Sequence, residues 1–198
     1  MNGVQYRVCF QMKWLIYGGL SILIFPVTFG VAFGVSLEEY AKQPFGNVLF
    51  LRHAVAPGFD AKGKPDQFKI DDCSTQRNLD TKGREQAIEI GKRLKDEGIQ
   101  FKRIHSSQWC RCLETAHLLK LGTVIPEPTL NSGFRRIFPK EKTLPALREL
   151  LGTFEKDEGL VLMVTHYGTI SAITGIVVVS GGAVTYNTKT NVAKEVTF

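Results

Sequence analysis

The sequence predicts an α/β fold built on a largely parallel β-sheet. Two short, continuous apolar runs, Asn47–Arg52 and Gly159–Thr165, have the composition of strands that are buried on both faces. Between them, apolar residues recur at helical spacing, so strands alternate with helices along the chain. This alternation is typical of helices that cover a parallel sheet. Ligands of such folds bind beyond the carboxyl ends of the strands, where we expect the functional residues.

The remaining elements follow from capping and turn signals. The first helix is predicted to begin at Asp80 or Thr81, either of which can cap it, and to end near Glu97, before Gly98. The later predicted elements are a strand at 101–107, helices at 109–122 and 144–154, and a helix beginning within 168–174. The tail predicts a hairpin within 176–188, turning at Gly181-Gly182, and a last strand at 192–198.

Size and charge narrow the class of function only slightly. The 198 residues, 43% hydrophobic and 22% charged, are enough for one domain with its own core. A net charge of +6 suits nucleic acid, a membrane surface or an anionic small substrate. The sequence has no run of five basic residues and no basic stripe interleaved with aromatics, so we expect no nucleic-acid partner.

The N-terminal segment differs in kind from the rest of the chain. Arg7 and Lys13 precede a stretch from Trp14 through Leu37 that contains no charged residue, and the triplet 32–34 is a small-x-small cleavage site. We predict that residues 1–34 are a signal peptide or an N-terminal membrane anchor. Residues 35–198 then form an exported domain, expected in the periplasm, either free or associated with the membrane.

The cysteines are consistent with an oxidising compartment. Cys9 belongs to the predicted leader, which leaves Cys73, Cys110 and Cys112 in the exported domain. One disulfide is expected, from Cys73 to either Cys110 or Cys112. A zinc site is the competing interpretation, but the spacing of Cys110 and Cys112 is not that of common structural zinc ligands, and we predict no metal.

Polar residues stand at the carboxyl ends of three predicted strands. These pairs are Arg52-His53, Ser106-Ser107 and Thr165-His166. The topology of a parallel sheet brings such residues into one crevice although they are far apart in sequence. A neutral imidazole is a competent nucleophile toward phosphorus, and arginine binds phosphoryl oxygens through two parallel hydrogen bonds. Two histidines flanked by arginines therefore predict phosphoryl transfer.

Three segments together resemble a known family. "LRHA", "SSQWCRCLETA" and "VTHYGTIS" are similar, in order and spacing, to the signature of the histidine phosphatase superfamily, and the resemblance spans about residues 47–174. It implies the phosphoglycerate-mutase-like fold, a three-layer sandwich with a mostly parallel central sheet flanked by helices. It also implies chemistry that needs neither metal nor cofactor.

The resemblance implies a role for four residues. His53 is the phosphorylated nucleophile, Arg52 and Arg111 bind the phosphoryl oxygens, and His166 completes the pocket. Arg77 either reaches the phosphate as well or pairs with a carboxylate.

The general acid is the point at which the chain departs from the family pattern. Ser132 stands where mutase-like members place a glutamate. Asp71, Asp72 or Glu127 could protonate the leaving oxygen instead, and we select Asp72 as the catalytic candidate.

Three classes of function fit these residues. The first is an exported phosphatase that hydrolyses a small phosphomonoester, with an envelope sugar phosphate as the expected substrate. Phosphohistidine-protein phosphatase activity is a variant of it that the predicted location disfavours. The second is a phosphate- or phosphosugar-binding protein of the same fold with little turnover. The third is a metal-dependent hydrolase that uses His53, His166 and Asp72 and loses activity on chelation.

Overall fold

The computed structural model describes residues 34–58, 68–133, 138–155 and 158–198. Apart from Gly34, the predicted leader lies outside the described residues, so its function stays a prediction. Within the described ranges, no helix is both long enough and apolar enough to cross a membrane.

A seven-stranded sheet forms the centre of the described part of the chain. Its strands lie in the order β1-β7-β6-β2-β5-β3-β4. They are β1 Val35–Ser36, β2 Val48–Arg52, β3 Phe101–Ser106, β4 Val124–Pro126, β5 Leu160–Thr165, β6 Ala183–Tyr186 and β7 Ala193–Thr197. Strands β2, β5, β3 and β4 are mutually parallel, and β6 runs antiparallel to its neighbours β2 and β7. The predicted α/β fold with a mostly parallel sheet is confirmed.

Five α-helices accompany the sheet within the same residues. They are α1 Leu37–Lys42, α2 Thr81–Asp96, α3 Cys110–Leu118, α4 Lys140–Gly152 and α5 Tyr167–Thr174. Asp80 caps α2 as predicted, since its Oδ1 accepts a hydrogen bond from the amide of Gly83 at 2.8 Å. Helix α3 ends at Leu118 rather than at Gly122, because Lys120 turns the backbone to a positive φ of 51°. Helix α4 begins one turn earlier than predicted and tolerates Pro145 in its first half.

The alternation of side chains along the strands creates the three layers. Leu49 and Leu51 of β2 belong to a core shared with residues of α2 and α3, whereas Val48 and Phe50 belong to a second core shared with α4 and α5. Strand β2 therefore buries both faces, which explains its continuous apolar sequence. Helices α2 and α3 approach closely at Gly91, where a Cβ would lie 2.2 Å from the carbonyl oxygen of Leu119.

The predicted hairpin at 176–188 is wrong. The hairpin is formed by β6 and β7, and residues 176–179 are not a strand. The backbone of this segment is held differently: the carbonyl of Val178 accepts from Nη1 of Arg52 at 2.8 Å, and the amide of Gly182 donates to the carbonyl of Val179 at 2.9 Å. Three valines in a row have strand propensity, but these contacts with Arg52 and the turn at 179–182 override it.

Candidate active site

Three adjacent strands end at one place. Because β2, β5 and β3 are neighbours in the sheet and run parallel, the residues that follow them lie side by side. The amide of His53 donates to the carbonyl of Thr165, and the amide of Ser107 donates to the carbonyl of Val164, both at 2.9 Å. Backbone hydrogen bonds thus fix the two predicted histidine positions and Ser107 relative to one another.

His53 is buried and its tautomer is defined by its contacts. Its Nδ1 lies 2.8 Å from the carbonyl oxygen of Ala54, which can only accept, so Nδ1 carries the proton and donates it. Nε2 is then a lone pair, and it accepts from Nε of Arg111 at 3.1 Å. Burial, with the charge of Arg111 as the next cause, lowers the pKa of His53 to about 3. The ring is neutral at physiological pH, the state that a nucleophile requires.

Arg111 joins the two histidines. This guanidinium, on the first turn of α3, donates through Nε to His53 and through Nη2 to Nδ1 of His166 at 3.2 Å. Its Cζ lies 4.5 Å from the ring centroid of Trp109, so the guanidinium also stacks on an aromatic face. Arg111 is 2% exposed, and its orientation is therefore fixed before any ligand arrives.

His166 is held from its other side by a polar chain. Its Nε2 lies 3.0 Å from Oγ of Ser107, and that hydroxyl lies 2.9 Å from Oδ1 of Asn131. All three side chains are buried. Burial lowers the pKa of His166, and the charge of Arg111 lowers it further, so this imidazole is also neutral. The two imidazole rings lie 5.4 Å apart between centroids.

Two further arginines extend the positive charge of the cluster. Nη1 of Arg52 donates to the carbonyl of Val178, and Nη1 of Arg77 donates to the carbonyl of Gly58 at 3.1 Å. Arg52 also lies over the ring of Tyr167, with its Cζ 5.2 Å from the centroid. The charges of both arginines lower the pKa values of His53 and His166, so both lie within electrostatic range of the two imidazoles.

The predicted acid Asp72 makes hydrogen bonds within its own loop. Its carboxylate caps the short 3₁₀ turn Cys73–Thr75, accepting from the amide and hydroxyl of Ser74 at 3.0 and 2.7 Å. These hydrogen bonds are the largest cause that lowers its pKa. The alternative Glu127 similarly caps a 3₁₀ turn by accepting from the amide of Thr129. The role of Asp72 as the general acid therefore stays a prediction.

One of the two disulfide pairings left open by the sequence is formed. Cys73 is bonded to Cys110, whereas Cys112 is a buried thiol outside the disulfide. The bond ties the loop that carries Arg77 to the first turn of α3, which carries Arg111. Sγ of Cys112 lies 3.5 Å from Nε2 of His166. In the part of the chain that the structure describes, no group of three or more His, Cys, Asp or Glu residues could hold a metal ion.

Two features of the site were not predicted from the sequence: the presence of Asn131 and the contact of the Ser107 hydroxyl with His166. Ser107 was visible as a polar residue at a strand end, but nothing indicated that its hydroxyl contacts His166. Asn131 follows the short 3₁₀ turn Pro128–Leu130, and its signal was its place beside Ser132 in the segment compared with the family. Trp109 is fully buried against Arg111 and His166.

The arrangement suits an anionic group of small size. Two imidazoles with defined lone pairs face one buried guanidinium, and two more arginines lie nearby. Guanidinium groups in fixed orientation bind phosphate oxygens with both charge and geometry. A neutral imidazole beside them can attack phosphorus.

Comparisons with known proteins agree with this geometry. The model of the histidine phosphatase superfamily (branch 1) matches residues 48–135. No curated protein sequence matches the chain. Among solved structures, the tungstate complex of the protein histidine phosphatase SixA is 14% identical, covers 75% of this chain and 92% of its own, and superposes with a TM-score of 0.52.

Two further structures are similar at lower TM-scores. A mycobacterial glucosyl-3-phosphoglycerate phosphatase with bound VO3 is 18% identical, with coverage of 69% of this chain and 90% of its own and a TM-score of 0.49. A phosphoglycerate mutase from Plasmodium falciparum is 18% identical, with coverage of 76% and 88% and a TM-score of 0.47.

The matched region contains His53, Arg77 and Arg111, and His166 joins them from the next strand of the sheet. The region of residues 48–135 matches the histidine phosphatase superfamily (branch 1), the family that the sequence motifs resemble.

Proposed function

We propose that the protein hydrolyses a phosphomonoester through a covalent phosphohistidine on Nε2 of His53, without a metal ion. The observation that carries this proposal is the hydrogen bond from Nδ1 of His53 to the carbonyl oxygen of Ala54. It leaves Nε2 as the only nitrogen able to attack. It also remains in place when phosphorylation makes the ring positive, so the carbonyl dipole stabilises the intermediate.

Binding of the phosphoryl group falls to the arginines. Arg111 already donates to Nε2 of His53 and to Nδ1 of His166, so phosphoryl oxygens that replace these acceptors would meet donors already in place. Arg52, the last residue of β2, and Arg77, in the loop before α2, add further positive charge. In such a site, positioning and charge stabilisation supply most of the rate acceleration of phosphoryl transfer.

The proposed substrate is a small sugar phosphate of the cell envelope, which the enzyme would encounter after its export. Support comes from the uncharged N-terminal stretch, which predicts export. SixA, whose fold is similar, is described as a protein histidine phosphatase. That activity is the alternative for this chain, and export would separate the enzyme from cytoplasmic phosphorelay proteins.

Hydrolysis of para-nitrophenyl phosphate at mildly acidic pH tests the chemistry. The full chain in mild detergent is compared with His53→Ala, each with and without EDTA. We expect activity that resists EDTA and is lost in the variant. A radiolabelled substrate quenched in alkali should leave label on the wild-type protein only.

His117→Ala is the matched control, because His117 lies on the exposed side of α3. It should retain wild-type activity. Activity that survives His53→Ala, or that EDTA abolishes, would contradict the phosphohistidine route, the second outcome favouring the metal-dependent class. A folded wild-type chain that binds inorganic phosphate but turns nothing over would favour the binding-protein class.

A further inference from the structure

The buried polar chain fixes where the proton of His166 resides. Oδ1 of Asn131 accepts from the backbone amide of Gln108 at 2.8 Å, which identifies it as the carbonyl oxygen of the amide. The hydroxyl of Ser107 therefore donates its single proton to that oxygen. It can then only accept from Nε2 of His166. Consequently Nε2 carries the proton and Nδ1 is a lone pair.

That lone pair faces the proposed phosphoryl position. Nδ1 of His166 accepts from Nη2 of Arg111, while Nε2 of His53 accepts from Nε of the same guanidinium. In the resting site, neither pocket-facing imidazole nitrogen holds a proton. Within the described residues, the charged and titratable groups that face His166 are Arg52, Arg77 and Arg111, the imidazole of His53 and the thiol of Cys112. None of them is a carboxylic acid that could protonate a leaving group.

We propose that His166 is a proton relay: its Nδ1 takes the proton of a phosphate monoester monoanion and delivers it to the leaving oxygen. Ser107 and Asn131 are positioning residues that hold the imidazole in the tautomer this requires. The inference rests on the proposed function and deepens it. It assigns the proton transfer to a residue of the described site, because Ser132 stands at the family's glutamate position and the carboxylate of Asp72 bonds to Ser74.

The proposed steps balance in atoms and charge. Nε2 of His53 forms a bond to phosphorus as the bond to the ester oxygen breaks. The proton of the phosphoryl hydroxyl moves to Nδ1 of His166 and from there to the departing oxygen, which leaves as a neutral alcohol. Water then attacks phosphorus, the bond to nitrogen breaks with its electron pair returning to Nε2, and the protons of water leave with the phosphate monoanion, one of them by way of His166.

Dependence on the leaving group tests the relay. An alkyl phosphate such as glycerol phosphate needs a proton on its poor leaving group, whereas para-nitrophenyl phosphate leaves without one. We compare kcat/KM of both substrates for the full chain and for His166→Gln, which can hydrogen-bond but not carry the proton. The variant should lose about 10²- to 10⁴-fold more activity toward the alkyl phosphate, the usual contribution of a general acid.

Equal losses on both substrates would overturn the relay while leaving the proposed function intact. Loss of alkaline-stable label from the wild-type protein would instead count against the phosphohistidine itself. The two failures are therefore distinguishable, because covalent labelling of His53 and leaving-group dependence are separate measurements.

Nitrogen NMR of isotope-labelled histidine tests the positioning residues. Wild-type His166 should show a protonated Nε2 and an unprotonated Nδ1, and the reverse tautomer would overturn the inference without any variant. Asn131→Ala frees the Ser107 hydroxyl to donate to Nε2, so it should shift the tautomer and increase the preference for para-nitrophenyl phosphate. Asn131→Asp keeps the acceptor and should restore both properties. An unchanged tautomer in Asn131→Ala would also contradict the role of Asn131.

Discussion

Nε of Arg111 donates to Nε2 of His53 across 3.1 Å, in a site where both side chains are almost completely buried. The guanidinium therefore points at the lone pair that attacks phosphorus in the proposed reaction. Its other donor, Nη2, contacts the second histidine. One side chain thus sets the distance between the two imidazoles and supplies charge where the phosphoryl group would bind.

Arg111→Lys should lower kcat/KM about 10²- to 10³-fold, the usual effect of removing a preorganised donor to the reacting group. Lysine keeps the positive charge but carries it on one nitrogen, which cannot contact both histidines and stack on Trp109 as the planar group does. Steady-state kinetics with para-nitrophenyl phosphate measure the effect, and a thermal melt verifies that the variant is folded.

The matched control is Arg103→Lys. Arg103 forms a half-exposed ion pair with Glu158 at 3.3 Å, and neither residue belongs to the proposed active site. Exposed ion pairs of this kind contribute little to stability. We expect wild-type activity from it. A folded Arg111→Lys protein that keeps more than roughly a tenth of the wild-type kcat/KM would show that charge, rather than the fork geometry, is what the site needs.

Acid should destabilise the fold through the two active-site histidines. Both pKa values are lowered in the folded protein, that of His53 from 6.5 to about 3. Between pH 3 and pH 6.5 the unfolded chain binds more protons than the folded chain. The free energy of unfolding therefore rises with pH in this range, and it decreases as the pH falls below about 6.5. His53 contributes up to about 1.4 kcal/mol per pH unit in this window, and the lowered pKa of His166 acts in the same direction.

Urea unfolding at successive pH values measures this slope. In His53→Gln, the free energy of unfolding should fall less steeply between about pH 6.5 and pH 3 than in the wild type. The variant takes up one proton fewer on unfolding, so the two slopes should differ by about 1.4 kcal/mol per pH unit. Identical slopes for the two proteins would mean that the pKa of His53 is the same in the folded and unfolded states, which would contradict the lowering by burial that keeps this imidazole neutral below pH 6.5.

The residues that end strands could be predicted from the sequence, because an apolar run marks the strand and the first polar residues after it mark its carboxyl end. His53, His166 and Ser107 were located in this way. Arg111 and Arg77 came from their places in the family signature and in the loop before α2. The parallel sheet followed from the same apolar runs.

Side-chain contacts between distant segments could not be predicted in this way. Asn131 lies after a short 3₁₀ turn with no periodic pattern, and its partner Ser107 is 24 residues away. The strand propensity of Val177, Val178 and Val179 suggested a hairpin, whereas the guanidinium of Arg52, 126 residues from Val178, holds that backbone in the fold. Pairing of Cys73 with Cys110 rather than Cys112 likewise depends on which face of α3 meets the loop.

The disulfide between Cys73 and Cys110 should stabilise the domain by restricting the unfolded chain. It joins residues separated by 37 positions, for which the loop-entropy model gives about 4 kcal/mol. Replacing both cysteines by serine should lower the free energy of unfolding by roughly this amount in urea, and dithiothreitol should destabilise the wild type but not the double variant. Cys112→Ser is the matched control: it also removes a thiol, keeps the disulfide and should respond to dithiothreitol as the wild type does. If the double variant unfolds at the same urea concentration as the unreduced wild type, the bond does not contribute to stability.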